Sequence, residues 1–321
     1  MKIVITIDVE EDNWGEYTTD GYSLENIKKI QKIQKIFDRF NVKPTYLINY
    51  PVATDEFAVD MFRSLWAEGK CEIGAHCHPW NTPPFEEELG CYNSILCNLP
   101  EELQYRKLKV LKNTICENLG IIPVSFRAGR WAFNNSVARS LYNLGFKIDT
   151  SVTPYTEWSE WHGMDYSNCT PYPYHFSFDN IFKPSENGEL LQVPASIGFL
   201  QKNYARCNWL FKLTDSWIMK KVHLRGVLSR LKILNKVFLS PEMSTGQEMI
   251  DLAERMKSLG FPILNLFFHS TTLLPGCSPF VNNSEEKELF LQNITQFLEY
   301  VTNEGIESTL LKDAQSNIQK Y

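Results

Sequence analysis

The N-terminal run Lys2-Ile-Val-Ile-Thr-Ile-Asp8 constrains this chain more than any other stretch. Its β-branched residues are stiff at χ1 and favour a pleated, buried strand. The run closes on a cluster of acids, Asp8, Glu10, Glu11 and Asp12. Further short apolar runs follow at 45–49, 72–76, 124–127, 146–149, 190–196 and 262–268, with a closing one at 306–311. Helical spacing fills the gaps between them. Residues 23–40 place Ile27, Ile30, Ile33, Ile36 and Phe37 on one face, with Ser23 as the N-cap. Residues 55–70, 100–119, 135–144, 245–259 and 284–302 read likewise; the second of these has Pro100 at its start and Gly120 past its end, and Gly145 stops the third. Strand and helix in alternation, joined by short connections, imply parallel strands with crossover helices, hence an α/β fold. Seven or eight strands with no linker or repeat predict one distorted (β/α)7-type barrel, closed or nearly closed, over residues 1–321. The rhythm breaks twice. Residues 152–188, rich in aromatics and prolines, read as a long functional loop, and about 200–240 reads as an inserted basic helical segment.

A net charge of −6 over 321 residues gives no general basic excess, which argues against a nucleic-acid binder. No apolar run approaches the length of a membrane span, and the first one is too short for an export signal. The eight cysteines contain no Cys-x-x-Cys pair. Reduced thiols in a cytoplasm are the expectation.

In a barrel of this kind reactive groups collect at the C-terminal ends of strands. The strand ends here carry Asp8 and Glu10, His76 and His78, Arg127, Asp149 and His269. His76 and His78 are two positions apart, so in an extended segment they share a face while Cys77 points away. Two imidazoles aimed at one point suit a divalent metal, most commonly zinc. The same pair alone is also compatible with a polar loop bearing two unrelated surface histidines. Five capable strand ends at one edge are much harder to attribute to chance.

This pattern resembles the polysaccharide deacetylase family, the group sharing the NodB homology domain (carbohydrate esterase family 4-like), over roughly residues 1–155 and 260–311. Thr6-Ile7-Asp8-Val9-Glu10 stands where the family has Thr-Phe-Asp-Asp-Gly. The resemblance then implies Asp8 as base and Glu10 as metal ligand, or the two roles exchanged. Glu72-Ile73-Gly74-Ala75-His76 matches the second motif, but the family's second histidine, four positions on, is Trp80 here and the nearest histidine is His78. If His78 takes that place the ligand set is Glu10, His76 and His78; if not, metal binding is weakened or lost. Arg127 matches the arginine that holds the base, without the Pro-Tyr that usually follows it. Asp149 matches the acid that tunes the catalytic histidine, and His269 that histidine, the general acid. The resemblance implies a hydrolase that removes an N-acetyl or O-acetyl group from a carbohydrate, a glycan precursor or cell-surface polysaccharide intermediate, using a divalent metal such as Zn2+. Two other readings remain: an amidohydrolase of the same fold acting on a non-sugar C–N bond, with or without a metal, and an inactive glycan-binding barrel. A glycosidase built on Asp8, Glu10, Glu11 and Asp12 is disfavoured, because paired carboxylates flanking a sugar come from separate elements.

Between 202 and 236 nine Lys or Arg face one acid, Asp215, with Trp209, Phe211 and Trp217 among them. Such a segment either docks on an anionic membrane or lipid-linked glycan, or forms a solvated helical lid. Tyr155, Trp158, Trp161, Tyr166, Tyr172 and Tyr174 either stack on sugar faces or pack against the barrel. The expected partner is a carbohydrate substrate and not a nucleic acid; the oligomeric state is open.

Overall fold

The computed structural model describes residues 1–186, 188–215 and 224–317. Among these residues the strands are β1 (Lys2–Val9), β2 (Thr45–Ile48), β3 (Glu72–Cys77), β4 (Ser125–Ala128), β5 (Ile148–Asp149), β6 (Tyr174–Phe176), β7 (Leu190–Gln192), β8 (Ile197–Phe199), β9 (Lys236–Phe238), β10 (Ile263–His269) and β11 (Glu307–Ser308). The main sheet runs β10-β1-β2-β3-β4-β5-β7-β6, with β11 on β1. Every neighbour from β10 to β7 is parallel, and β6 adds an antiparallel edge to β7. This is the expected (β/α)7 arrangement, curled into a barrel that the strand ladder does not close.

The chain segment after β7 spans the remaining gap. Val193 N–H bonds to Asp149 O at 2.9 Å, Ala195 N–H to Val152 O at 3.0 Å, and Ser196 N–H to Asn265 O at 3.2 Å. The β8–β9 hairpin continues the seam, with Leu239 N–H on Ser196 O and Phe267 N–H on Leu239 O. Asn265 ties the seam from inside the barrel: its amide donates to Thr150 Oγ1 at 2.8 Å and accepts from Thr6 Oγ1 at 2.9 Å. The sequence expectation of one strand over 190–196 therefore divides into a short strand and this bridge.

The two-residue period of β1 decides which groups face inward. Ile3, Ile5, Ile7 and Val9 pack outward into the core shared with the helices. Val4 instead joins Ile148, Leu191, Val193 and Ile263 over Leu311 and Ala314, at the barrel floor. Thr6 and Asp8 follow Val4 on the inner side at successive heights, so β1 carries its acid to the mouth.

Three local expectations change. Ser23 does not cap the first helix: its hydroxyl donates to Asp12 Oδ2, and Asp12 itself accepts from the N–H groups of Glu25 and Asn26 where the helical turns begin. An acid satisfies those free N–H groups better than a hydroxyl does. Residues 152–188 are not all loop, because β6 pairs with β7 there. Among its described residues the basic insertion has two helices, Tyr204–Leu213 and Leu224–Arg230, carried between β8 and β9. Their inner side packs Cys207, Leu210, Phe211 and Leu228 on Phe199 and Leu234, while Trp209 and Leu231 are exposed. Trp217 lies outside the described residues. The helix Glu101–Leu119 ends as expected, with Gly120 left-handed at φ 73°. No helix among the described residues is long and apolar enough to cross a membrane.

Candidate active site

The strand register sets the site. β1, β3, β4 and β10 end together: Asp8 pairs in register with His269, and His76 with Arg127. Arg127, only 1% exposed, is the largest fully buried side chain among the described residues and donates from all three of its guanidinium nitrogens. It donates to Asp8 Oδ1 at 2.8 Å, to Thr6 Oγ1 at 2.6 Å and, through Nε, to Thr150 O at 3.1 Å. Trp131 covers the guanidinium, whose carbon lies 5.0 Å from the ring centroid. A buried charge of this kind is tolerable only when paired and hydrogen-bonded, and the pairing fixes the Asp8 carboxylate. Its second oxygen lies 3.7 Å from His269 Nε2.

Glu10, His76 and His78 form the neighbouring cluster, all buried, with donor atoms within 4.8 Å of one another. Glu10 Oε2 is 2.7 Å from His78 Nε2 and 3.5 Å from His76 Nε2. Burial raises the Glu10 pKa, but the hydrogen bonds of His76 and His78, with the charge of His78 and of His269, outweigh it and hold the carboxyl well below the ordinary range. His76 Nδ1 donates to Arg127 O at 3.1 Å, so its Nε2 presents a lone pair. That lone pair faces His78 Nε2 at 3.0 Å. One His78 N–H cannot serve both His76 and Glu10, whereas a shared cation satisfies all three. His78 lies against Gly129, where a Cβ would sit 2.2 Å from its Nδ1, and against Trp80, 4.1 Å between ring centroids. The donor set and its cradle fit a divalent ion of the zinc class.

His269 is the opposite wall. Its Nδ1 is 3.0 Å from Glu242 Oε2, and its backbone N–H donates to Glu242 Oε1 at 2.9 Å. Burial alone would lower its pKa; the charge and hydrogen bond of Glu242, with Glu10 and Asp8 beyond, push it up to about 9. Thr272 donates to the same carboxylate at 2.6 Å.

Similar architectures are known among solved structures. A protein assigned as a glycoside hydrolase/deacetylase from Parabacteroides distasonis superposes with a TM-score of 0.61 at 12% identity, over 98% of this chain and 72% of that one. One assigned as a polysaccharide deacetylase from Mycobacterium smegmatis gives 0.55 at 15% identity, over 98% and 89%. The chain has the polysaccharide deacetylase fold. An allantoinase, Puue, shares it with a TM-score of 0.53 at 12% identity, over 100% of this chain and 91% of that one. No family model matches the sequence, and no curated protein matches it.

Within this deacetylase fold the structure brings Asp8, Glu10, His76, His78, Arg127 and His269 to one place. Asp149 is not among them. Its carboxylate, fully buried on β5, accepts from the N–H and Oγ of Ser151 at 2.8 and 2.7 Å, and burial raises its pKa to about 7. The position beside His269 expected for Asp149 is taken by Glu242. Nothing local in Pro241-Glu242-Met243 announces this; the residue follows β9, across the insertion, and only the fold brings it near. Glu11 was also missed. It accepts from Asn49, Trp80 and Asn81, and so anchors the turn after His78.

Asp8, Glu10, Glu11, His76, His78, Glu242 and His269 line a cavity of about 510 Å³ with Trp14, Trp80, Trp131, Trp158 and Trp161 in its walls. Of the six aromatics read as either stacking on sugar or packing against the barrel, Trp158 and Trp161 reach it. Tyr155, Tyr166, Tyr172 and Tyr174 instead pack against the core, where burying a ring is worth more than exposing it.

Proposed function

We propose that this chain is a metal-dependent hydrolase that removes an acetyl group from the nitrogen, or an oxygen, of a carbohydrate. The observation that carries this reading is the convergence on Asp8: Arg127 at 2.8 Å, His269 at 3.7 Å and His76 of the three-donor cluster at 3.9 Å. A base, a protonated acid and a cation site thus surround one small volume. Glu10, His76 and His78 would hold the ion, which, when bound, lowers the pKa of water and polarises a carbonyl.

Asp8 then takes the proton of the attacking water. Arg127 keeps that carboxylate aimed by occupying its other oxygen, so accepting the proton requires no rotation. His269, protonated at neutral pH because of Glu242, donates its proton to the departing amine or hydroxyl. The tryptophans exclude water and offer flat faces to sugar rings. That aromatic lining favours a sugar over the second reading, an amidohydrolase on a non-sugar C–N bond, which rests on the allantoinase of the same fold. Eight free cysteines support a reducing, cytoplasmic setting and hence a precursor glycan.

The test is elemental analysis beside hydrolysis of N-acetylated sugars, for wild type, H76A and H78A. The expected result is about one metal equivalent per chain, lost in both variants together with turnover. Turnover by metal-free wild type would move the assignment to a metal-independent amidohydrolase. Sugar binding without turnover by the loaded protein would make it a binding barrel.

A further inference from the structure

The cavity holds a cation that this chemistry does not use. Arg130 lines it, half-buried, three residues after Arg127. One terminal nitrogen, Nη1, is tied to neutral groups only, the Tyr17 hydroxyl at 2.8 Å, Ser94 Oγ and Cys91 Sγ at 3.7 Å. The guanidinium also lies 5.9 Å from the Tyr17 ring centroid. The other N–H groups have no hydrogen-bond partner among the described residues. The carboxylates in the cavity wall are already committed: Asp8 to Arg127, Glu10 to the histidines, Glu242 to His269, and Glu11 to Asn49, Trp80 and Asn81. The turn that presents Arg130 is itself unusual. Arg130 and Trp131 are consecutive left-handed residues, φ 54° and 58°, a conformation non-glycine residues adopt at a cost. It sets Trp131 over Arg127 and leaves the next guanidinium anchored by one corner with its remaining edge unpaired.

Resting on the hydrolase reading above, we propose that Arg130 is a subsite for an anionic group on the substrate, so that the acetylated sugar is an acidic one. A free guanidinium edge matches a phosphate ester or a uronic carboxylate, since both accept paired hydrogen bonds. A neutral polymer would leave that charge unanswered.

Tryptophan fluorescence tests this on the full chain, zinc-loaded for wild type and the Arg130 variants and metal-free for H78A, since five tryptophans line the cavity. The titrants are inorganic phosphate, D-glucuronate and, as neutral control, D-glucose, applied to wild type, R130Q, R130K and H78A. Wild type and H78A should bind at least one anion saturably, and at least tenfold more tightly than glucose. R130Q should lose that preference at least tenfold, and R130K should keep part of it. Whichever of phosphate and glucuronate binds more tightly identifies the source of the charge. R130M, which retains a stem beside Tyr17, replaces R130Q if the latter fails to fold. The proposal is overturned by wild type that binds neither anion, or by R130Q that binds like wild type. Loss in H78A with retention in R130Q also overturns it, placing the anion at the three-donor cluster. Hydrolysis of N-acetylglucosamine, of its 6-phosphate and of an N-acetylated uronic acid is followed in parallel. Anion binding without hydrolysis of any of the three sinks the hydrolase and leaves the subsite; hydrolysis without anion binding does the reverse.

Discussion

If the proposed mechanism holds, replacing Glu242 with glutamine should confine hydrolysis to acid. His269 rises from its ordinary 6.5 to about 9 although burial pulls it down, and Glu242 supplies the two largest opposing effects, its charge and its hydrogen bond. That rise is worth about 3 kcal/mol in favour of the imidazolium. The glutamine side chain would keep the size and the Thr272 contact but remove the charge. Burial would then oppose only Glu10 and Asp8, and His269 should fall back to about 6.5 or lower. The sign follows from the role: the acid works while protonated, so activity is lost as pH rises through its pKa. At pH 8 wild type keeps about nine-tenths of His269 protonated and E242Q about 3%, a loss of about thirtyfold in kcat/KM. At pH 6 the two should differ less than about twofold. A bound cation shifts His269 in both proteins alike, so the comparison is made metal-loaded and read as a difference. The assay is a kcat/KM profile from pH 5 to 10 beside an NMR titration of the imidazole. An unmoved alkaline limb, or an equal loss at both pH values, would refute the reasoning.

Three further outcomes follow from the packing. K107M should cost about 3–5 kcal/mol in denaturant unfolding, because Lys107 is fully buried, pairs with Glu87 at 2.8 Å and donates to the carbonyls of Pro79, Thr82 and Pro84; a variant as stable as wild type would contradict this. G129A, whose Cβ would press on His78 Nδ1 at 2.2 Å and Cys77 O at 2.7 Å, should weaken zinc binding about 10–100-fold in chelator competition. D149N addresses stability and not the acid. Asp149 is raised from 3.8 to about 7 by burial, so the folded state binds its proton more tightly and wild type loses up to about 4 kcal/mol as pH climbs through that window. D149N should flatten the melting curve against pH there while leaving the alkaline limb of His269 in place; a shift of that limb would restore the role expected from its strand end.

The parts legible in the sequence were those written in local periodicity. β-branched runs and helical spacing give the parallel sheet, and the period of two in β1 and β3 puts Asp8 on the inner side and His76 beside His78. Tertiary partners were not legible, for identifiable reasons. Asp149 stands at a strand end as the pattern asks, yet Ser151, two residues on, captures its carboxylate. Glu242 reaches His269 from beyond an insertion, and no short-range signal encodes that approach. The β8–β9 hairpin was hidden because its strands, three residues each, flank a helical excursion that dominates the composition around them.

The same geometry explains how the site accommodates tryptophan at position 80, where the resembling family has its second histidine. His78 lies one residue past β3 and is still extended, at φ −104° and ψ 128°, so its ring continues the inward face begun by His76. Reaching the cluster from there requires close approach to the next strand end, and Gly129 supplies the space. Trp80 then serves as a wall: its ring lies against His78, and its indole N–H is held by Glu11 at 3.2 Å. Glu11 in turn is fixed by Asn49 at the end of β2 and by Asn81. On the proposed ligand set, a histidine two residues earlier thus draws in Gly129, Trp80 and Glu11 together. Restoring a histidine at position 80 alone would remove the wall that orients His78, so W80H should lower zinc affinity, and a rise in affinity would show that this support is dispensable.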